Sequence, residues 1–191
     1  MVEHLRQSPE EVFRQLWHFL HQGAMRADDP FHTPVLATID AEGMPTGRTV
    51  VLRRVEAAER WVIAHTDMRS PKVQELRDSG VATWVFYDPH RRLQFRITGP
   101  TTIHHNDALA NAQWESSKPM SRLCYLHADA PGAPIDSTRT TEPLSDGRAN
   151  FGVVRTTVER IDWLWLNHAG HRRLQMSFDD QSRMTARWIA P

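Results

Sequence analysis

The run Val35–Thr66, VLATIDAEGMPTGRTVVLRRVEAAERWVIAHT, decides the fold. It reads as three strands in succession, VLATID, RTVVLRRV and RWVIAHT, with AEGMPTG as the first turn and no helix between them. A helix and strand in alternation would have argued for a parallel sheet; this succession argues against one. Working outward toward the N-terminus, SPEEVFRQLWHFLHQGA reads as a helix. Ser8 is its N-cap, Pro9 fits the first turn and Glu11 completes a capping box, while Val12, Leu16, Phe19 and Leu20 form the apolar stripe. On the other side, RSPKVQELRDSG is a short helix with Ser70 as cap, Pro71 at its first position and Gly80 after its end. VATWVFYD and RLQFRITGPTTI follow as strands and NDALANAQWESS as a helix. Residues 129–148, rich in Pro, Gly, Ser and Thr, read as a long loop. NFGVVRTTVERIDWLWLN, HRRLQMSF and RMTARWIA return to strands. The order predicts a mainly β protein, a closed antiparallel barrel with peripheral helices, in which residues 1–191 form a single domain opened by a helix within residues 1–23.

Composition narrows the functional classes. The chain has 191 residues, 40% apolar and 24% charged, with a formal net charge of zero, so no bulk field draws it to nucleic acid or to a membrane. An anion site would have to be local. One cysteine, Cys124, excludes an intrachain disulfide and fits a reducing compartment. The opening residues carry no signal-peptide core, and no apolar run approaches membrane-spanning length, so a cytoplasmic location is expected.

Within the second strand, Arg48 and Arg53 stand at opposite ends of RTVVLRR. By period-two alternation Arg48, Val50 and Leu52 share one face, and Thr49, Val51 and Arg53 the other. HTDMRSPK runs from a strand into a helix start, where free N–H groups favour an anion; Thr66 can donate a hydroxyl and Lys72 lies in the first helical turn. There is no glycine-rich phosphate fingerprint, so a nucleotide-like anion would be held by side chains. In RRLQFRITG, Gln94, Arg96 and Thr98 share a face, which suits either solvent or the recognition of a ring. Trp163 and Trp165 share a face that suits core, dimer interface or a cofactor wall. His104–His105 would point to opposite faces of a strand. His168 and His171 lie on a turn without a neighbouring carboxylate or thiol, so no metal site is expected. Cys124 has no evident base beside it.

Together these motifs resemble the pyridoxamine 5'-phosphate oxidase family, flavoproteins of the FMN-binding split β-barrel fold, from about Pro34 to Pro191. RTVVLR resembles the family's R-x-V-L-L-K strand, HTDMRSPK its Y-T-N-x-x-S-R-K turn and LQFRITG its R-Q-V-R-x-x-G strand. VERIDWLWLNHAGHRRLQMSF, closed by WIAP, resembles its C-terminal signature. The resemblance implies a homodimer with the flavin site at the interface. FMN would be held by Arg48, Val51, Leu52, His65, Thr66, Lys72, Gln94, Trp163 and Ser177, with Arg48 and Lys72 on its phosphate. It implies a small-molecule substrate met by Arg53, Trp114, Lys118, Arg173 and Gln175, and hydride transfer from a substrate carbon to the flavin with reoxidation by oxygen. WESSKP carries Trp114 and Lys118 where the family pattern Y-x-x-S-R-P has tyrosine and arginine. Pro71 replaces an arginine, Gln175 a histidine and Ser177 a flavin-contacting arginine. Losing charge-assisted bonds, each worth roughly 1.5–3 kcal/mol, leaves FMN binding expected and turnover of pyridoxamine phosphate in question. The long loop replaces a helical region and resembles a divergent, oxidase-related subgroup. A carrier of FMN or haem on the same fold, or a barrel without cofactor, are the competing expectations.

Overall fold

The computed structural model describes residues 7–135 and 143–191. Helix α1, Pro9–Met25, starts as the sequence predicts. The Ser8 hydroxyl accepts from the Glu11 N–H, and the Glu11 carboxylate accepts the Ser8 N–H at 2.7 Å. Its stripe of Val12, Leu16, Trp17 and Leu20 is buried, and the helix lies against β3. Among the described residues the ten strands are β1 Val35–Ile39, β2 Pro45–Thr49, β3 Leu52–Glu56, β4 Trp61–Asp67, β5 Val81–Asp88, β6 Leu93–His104, β7 Phe151–Thr157, β8 Arg160–Trp165, β9 Arg172–Phe178 and β10 Met184–Ile189. Between them lie α2 Pro71–Ser79, α3 Ala108–Ser116 and α4 Pro119–Arg122. Gly80 closes α2 in the left-handed conformation, φ 66°, which only glycine adopts without strain.

Every ladder is antiparallel. One path runs β10-β9-β8-β6-β5-β1-β2; a second leaves β6 through β7 and β4 to β3. β2 and β3 end the two paths and do not pair with each other, so the wall is split between them. This corrects the expectation of one strand over RTVVLRRV. Val50 and Val51 are a link in which the Val50 N–H bonds the Pro34 carbonyl at 2.9 Å, outside the β2 ladder. The β3 register then slips: Leu52 faces Ala64 and Arg54 faces Ile63, leaving Arg53 as the extra residue of a bulge. Arg53 and Arg54 are therefore both exposed, and simple alternation from Arg48 does not hold.

The stretch NFGVVRTTVERIDWLWLN also divides. Val158 and Glu159 carry the chain from β7, beside β4, to β8, beside β6. β6 makes this possible by pairing residues 93–98 with β8 and residues 101–104 with β7 along the same edge. At the changeover sits Gly99, where an added Cβ would lie 1.8 Å from the Thr157 carbonyl oxygen. Of the long loop, residues 136–142 lie outside the described residues.

The interior is aromatic. Trp84 and Phe86 lie nearly parallel with centroids 6.3 Å apart, Phe31 meets Phe95 edge-on, and Trp163 meets Trp188 edge-on. The Trp84 indole N–H is satisfied by the Thr156 hydroxyl at 2.8 Å. Among the described residues no helix is long and apolar enough to cross a membrane.

Replacing Gly99 by alanine is expected to lower the unfolding free energy by more than about 3 kcal/mol, because the clash is with backbone that holds two ladders. Gly47→Ala, whose Cβ would meet only a Val35 methyl at 3.4 Å, should stay within about 0.5 kcal/mol of the parent. Urea denaturation of both variants checks the contrast.

Candidate functional site

Arg48 is the penultimate residue of β2 and lies opposite Leu36. Its guanidinium donates to the Thr46 hydroxyl and to the Glu75 carboxylate, each at 2.9 Å, and to the Thr38 hydroxyl. Glu75, one turn along α2 from Lys72, also accepts from Thr46 at 3.1 Å. Burial disfavours the charged form of Glu75, but hydrogen bonds from Thr38 and Arg48 outweigh it and hold the carboxyl below its ordinary value.

Lys72 lies in the first turn of α2. Its ammonium donates to the Ser70 hydroxyl at 2.6 Å and reaches Thr66 Oγ1 at 3.4 Å. Ser70 makes no side-chain cap to the helix, so its hydroxyl is turned to the lysine instead. Burial pushes the Lys72 ammonium below the ordinary lysine value, and the positive charge of Arg48 pushes the same way against Asp67 and Glu75. A half-buried lysine facing an arginine beside an uncapped helix start is a charge excess that a bound anion would relieve. The donor set is two cations and the hydroxyls of Thr66 and Ser70. It fits a phosphate monoester.

A second cluster adjoins this one through β4. His65 packs edge-on to Phe151 with centroids 4.8 Å apart, and its Nε2 meets Gln113 Oε1 at 3.1 Å. Burial pushes its pKa down to about 4; the Gln113 bond opposes this, and the charge of Arg53 adds to it. Trp114 leans on Phe151 and Tyr125, and the Arg122 guanidinium lies 4.9 Å from its ring centre. Burial pushes the Tyr125 hydroxyl up, against the charge of Arg53. Arg53 thus projects its field onto an aromatic wall, and among the described residues it has no hydrogen-bond or ion-pair partner. Lys118, exposed, caps the start of α4.

The remaining expected residues lie on the outer face of the sheet. The registers put Gln94, Leu164 and Arg173 in one cross-strand row. In the next row Asp162 accepts from Arg96 at 2.7 Å, from Arg173 at 2.8 Å and from Gln175 at 3.4 Å. Burial works against ionised Asp162, but the Arg173 and Arg96 bonds prevail and keep its carboxyl low. Ser177 is exposed on the same face.

The structure therefore brings Arg48, Thr66 and Lys72 together, and separately Arg53, His65 and Trp114. Among the described residues no hydrogen bond or ion pair joins Arg173 or Gln175 to Arg53, Trp114 or Lys118. Two expectations are corrected. Trp163 is fully buried inside the barrel, because the outward positions of β8 are Asp162 and Leu164, so it cannot wall a ligand on the outer face. The Leu52 side chain is likewise core and offers nothing to a ligand. Val51 is half-buried in the link. Sequence reasoning passed over Glu75, Thr38, Thr46 and Asp162. For Glu75 a signal existed: an acid three residues after Lys72, on the same helical face, beside an expected two-cation site.

Residues 13–105 match the family model described as pyridoxamine 5'-phosphate oxidase, FMN-binding domain. The chain is similar to pyridoxine/pyridoxamine 5'-phosphate oxidase 2 of Arabidopsis thaliana, 29% identical over 141 residues that make up 68% of this chain and 71% of that protein. It is also similar to the pyridoxine/pyridoxamine 5'-phosphate oxidase of a Ruegeria species, 38% identical over 88 residues. That match spans 46% of this chain and 42% of the Ruegeria protein, well under two thirds of its length. Among solved structures, a pyridoxamine 5'-phosphate oxidase-related, FMN binding protein from Nostoc punctiforme superposes with a TM-score of 0.77 at 24% identity, covering 97% of this chain and 98% of its own. At that identity the likeness is one of fold.

The depressed pKa of His65 carries a stability consequence. An unfolded histidine titrates near 6.5 and the folded one at about 4, so protonation favours unfolding. The contribution is full above pH 6.5 and is lost as pH falls toward 4. Between pH 8 and pH 5 the parent should lose about 2 kcal/mol that His65→Gln does not lose. Denaturant midpoints across that range, for both proteins, measure it.

Proposed function

We propose that this chain, whose residues 13–105 match the pyridoxamine 5'-phosphate oxidase FMN-binding domain, is an FMN-dependent oxidoreductase of that family acting on a small amine or alcohol that carries a phosphate. The observation that carries this reading is the charge excess at Arg48 and Lys72 beside the hydroxyls of Thr66 and Ser70. In this reading Arg48 and Lys72 hold the cofactor phosphate, and Gln94 orients the ring. When bound, the cofactor supplies two-electron redox chemistry. The chain's own work is positioning and electrostatics. His65, neutral near pH 7, hydrogen-bonds without adding a third cation. Arg53 holds the substrate's anionic end against the wall formed by Trp114, Tyr125 and Phe151, which excludes water from one side.

Arg173, Gln175 and Ser177 lie on another face of the chain from Arg53 and Lys118. A homodimer that sets the outer face of one copy against the cation pair of the other would complete the site, and this is the assembly we infer. The cytoplasm is the proposed location. A second reading, a carrier that holds FMN without turnover, is favoured by one observation: Arg173 and Gln175 are already bound to Asp162. Bleaching of the bound flavin by pyridoxamine phosphate or another amine under anaerobic conditions supports the oxidoreductase. A flavin that stays yellow with every candidate supports the carrier.

Arg48→Ala should weaken FMN binding by about 2 kcal/mol, roughly thirtyfold, through loss of a charge-assisted contact. Arg53→Ala should leave FMN affinity nearly unchanged and impair a phosphorylated substrate. Flavin fluorescence titration and substrate-driven bleaching read the two effects. Equal loss of FMN in both variants would refute the division of labour. Light scattering should give a dimer; a monomer that still binds flavin tightly would contradict the shared site.

A further inference from the structure

Helix α3 reaches into the Arg53 cluster with a residue that neither the sequence reading nor the proposed reaction uses, Gln113. The helix is firmly placed. The Asp107 carboxylate caps it by accepting the Ala110 N–H at 2.9 Å, and Ala110 is buried with Ile63, Phe151 and Val153 of β4 and β7. Three residues on, along the same helical face, Gln113 is only 6% exposed. Its Oε1 meets His65 Nε2 at 3.1 Å. A carbonyl oxygen can only accept, so Nε2 carries the hydrogen.

The other ring nitrogen of His65 is in a different position. Nδ1 has no hydrogen-bond partner among the described residues, and it is not one of the buried atoms left unpartnered, so solvent reaches it. In a neutral imidazole with its hydrogen on Nε2, Nδ1 offers a lone pair and no donor. Burial keeps the ring neutral near pH 7; the Gln113 bond opposes this and the charge of Arg53 adds to it. Gln113 of α3, and Phe151 and Val153 of β7, bring no charge of their own to the ring. An acceptor therefore stands within the field of a cation that has no ion-pair partner among the described residues. A molecule whose anionic group rests on Arg53 gains there from a hydroxyl or an N–H, and gains nothing from an ether or a methyl group. With the tautomer reversed, Nδ1–H would donate and the preference would pass to carbonyl groups.

Resting on the reading that Arg53 holds the substrate's anion, we propose that Gln113 is a positioning residue. By fixing the hydrogen of His65 on Nε2 it makes Nδ1 an acceptor, which selects substrates that carry a hydroxyl or N–H beside their anionic group. Two measurements on the flavin-free protein test this at pH 7.5, roughly one pH unit above the ordinary histidine value. Nitrogen-15 NMR of the imidazole reads the tautomer, and calorimetry compares phenyl phosphate with 2-, 3- and 4-hydroxyphenyl phosphate. The expected tautomer is Nε2–H, and at least one hydroxylated probe should bind about fivefold tighter than phenyl phosphate, the worth of one net hydrogen bond. Gln113→Leu removes the acceptor at similar volume; it should give mixed tautomers and abolish the hydroxyl advantage while phenyl phosphate binds as before. Gln113→Glu, should the leucine variant fail to fold, keeps the Nε2 hydrogen but favours the imidazolium. His65 should then take up its second proton at a higher pH than in the parent, and the hydroxyl advantage should vanish below that pH. The proposal is overturned if His65 carries its hydrogen on Nδ1, if the tautomer survives in Gln113→Leu, or if no hydroxyl improves binding. Loss of all four phosphates on the parent protein would instead refute the role given to Arg53, and this inference with it. A bleached flavin together with an Nδ1–H tautomer would sink this inference alone and leave the proposed reaction standing.

Discussion

Strand β6 is the member on which the rest of the chain is hung. Its twelve residues pair with β5 along one edge and with both β8 and β7 along the other. Two strands can share one edge only if the chain between them approaches the ladder closely, and Gly99 provides the room. From that changeover one path leads round to β3 and the other, across β5 and β1, to β2. The two meet without pairing at Val50–Val51. The seam is therefore a consequence of how β6 divides its hydrogen bonds, and the cations stand on either side of the seam.

That placement explains why charged groups so close in sequence serve different surroundings. Arg48, on the last paired stretch of β2, faces α2 and its acid Glu75. Arg53, five residues on, is thrown out by a bulge toward His65 and Tyr125. β4 connects the two regions: Thr66 lies under the Lys72 ammonium and its neighbour His65 faces Gln113. A neutral histidine at this point keeps the local positive charge from growing, which matters where Lys72 is already destabilised by burial and by Arg48.

The sequence carried the elements well where the signals were local. Ser8 and Glu11 cap α1, Gly80 ends α2, and β5 spans the VATWVFYD stretch, because caps and alternation are written in adjacent residues. Thr66 and Lys72 were legible for a related reason, since they flank the junction of β4 and α2, and Arg48 was legible from its place at the start of an apolar run. What failed was continuity. RTVVLRRV and NFGVVRTTVERIDWLWLN each read as one apolar run, yet each breaks where the chain changes partner strand, and partner choice is a tertiary property. The misplaced Trp163 follows from the same limit. Its face was ambiguous until the β8 register set Asp162 and Leu164 outward. Asp162 escaped because an acid announces itself as a counter-ion only when its arginines are located in space, whereas Glu75, three residues after Lys72 on one helical face, carried a local signal.

The threefold anchoring of Arg48 has a consequence for how an occupant is received. A free arginine side chain gives up on the order of 2 kcal/mol of rotamer entropy when a ligand immobilises it. Here Thr38, Thr46 and Glu75 have already fixed the guanidinium during folding. Little further ordering accompanies binding, so more of the contact energy is expressed as affinity. The guanidinium donors of Arg48 are therefore in place before any anion arrives.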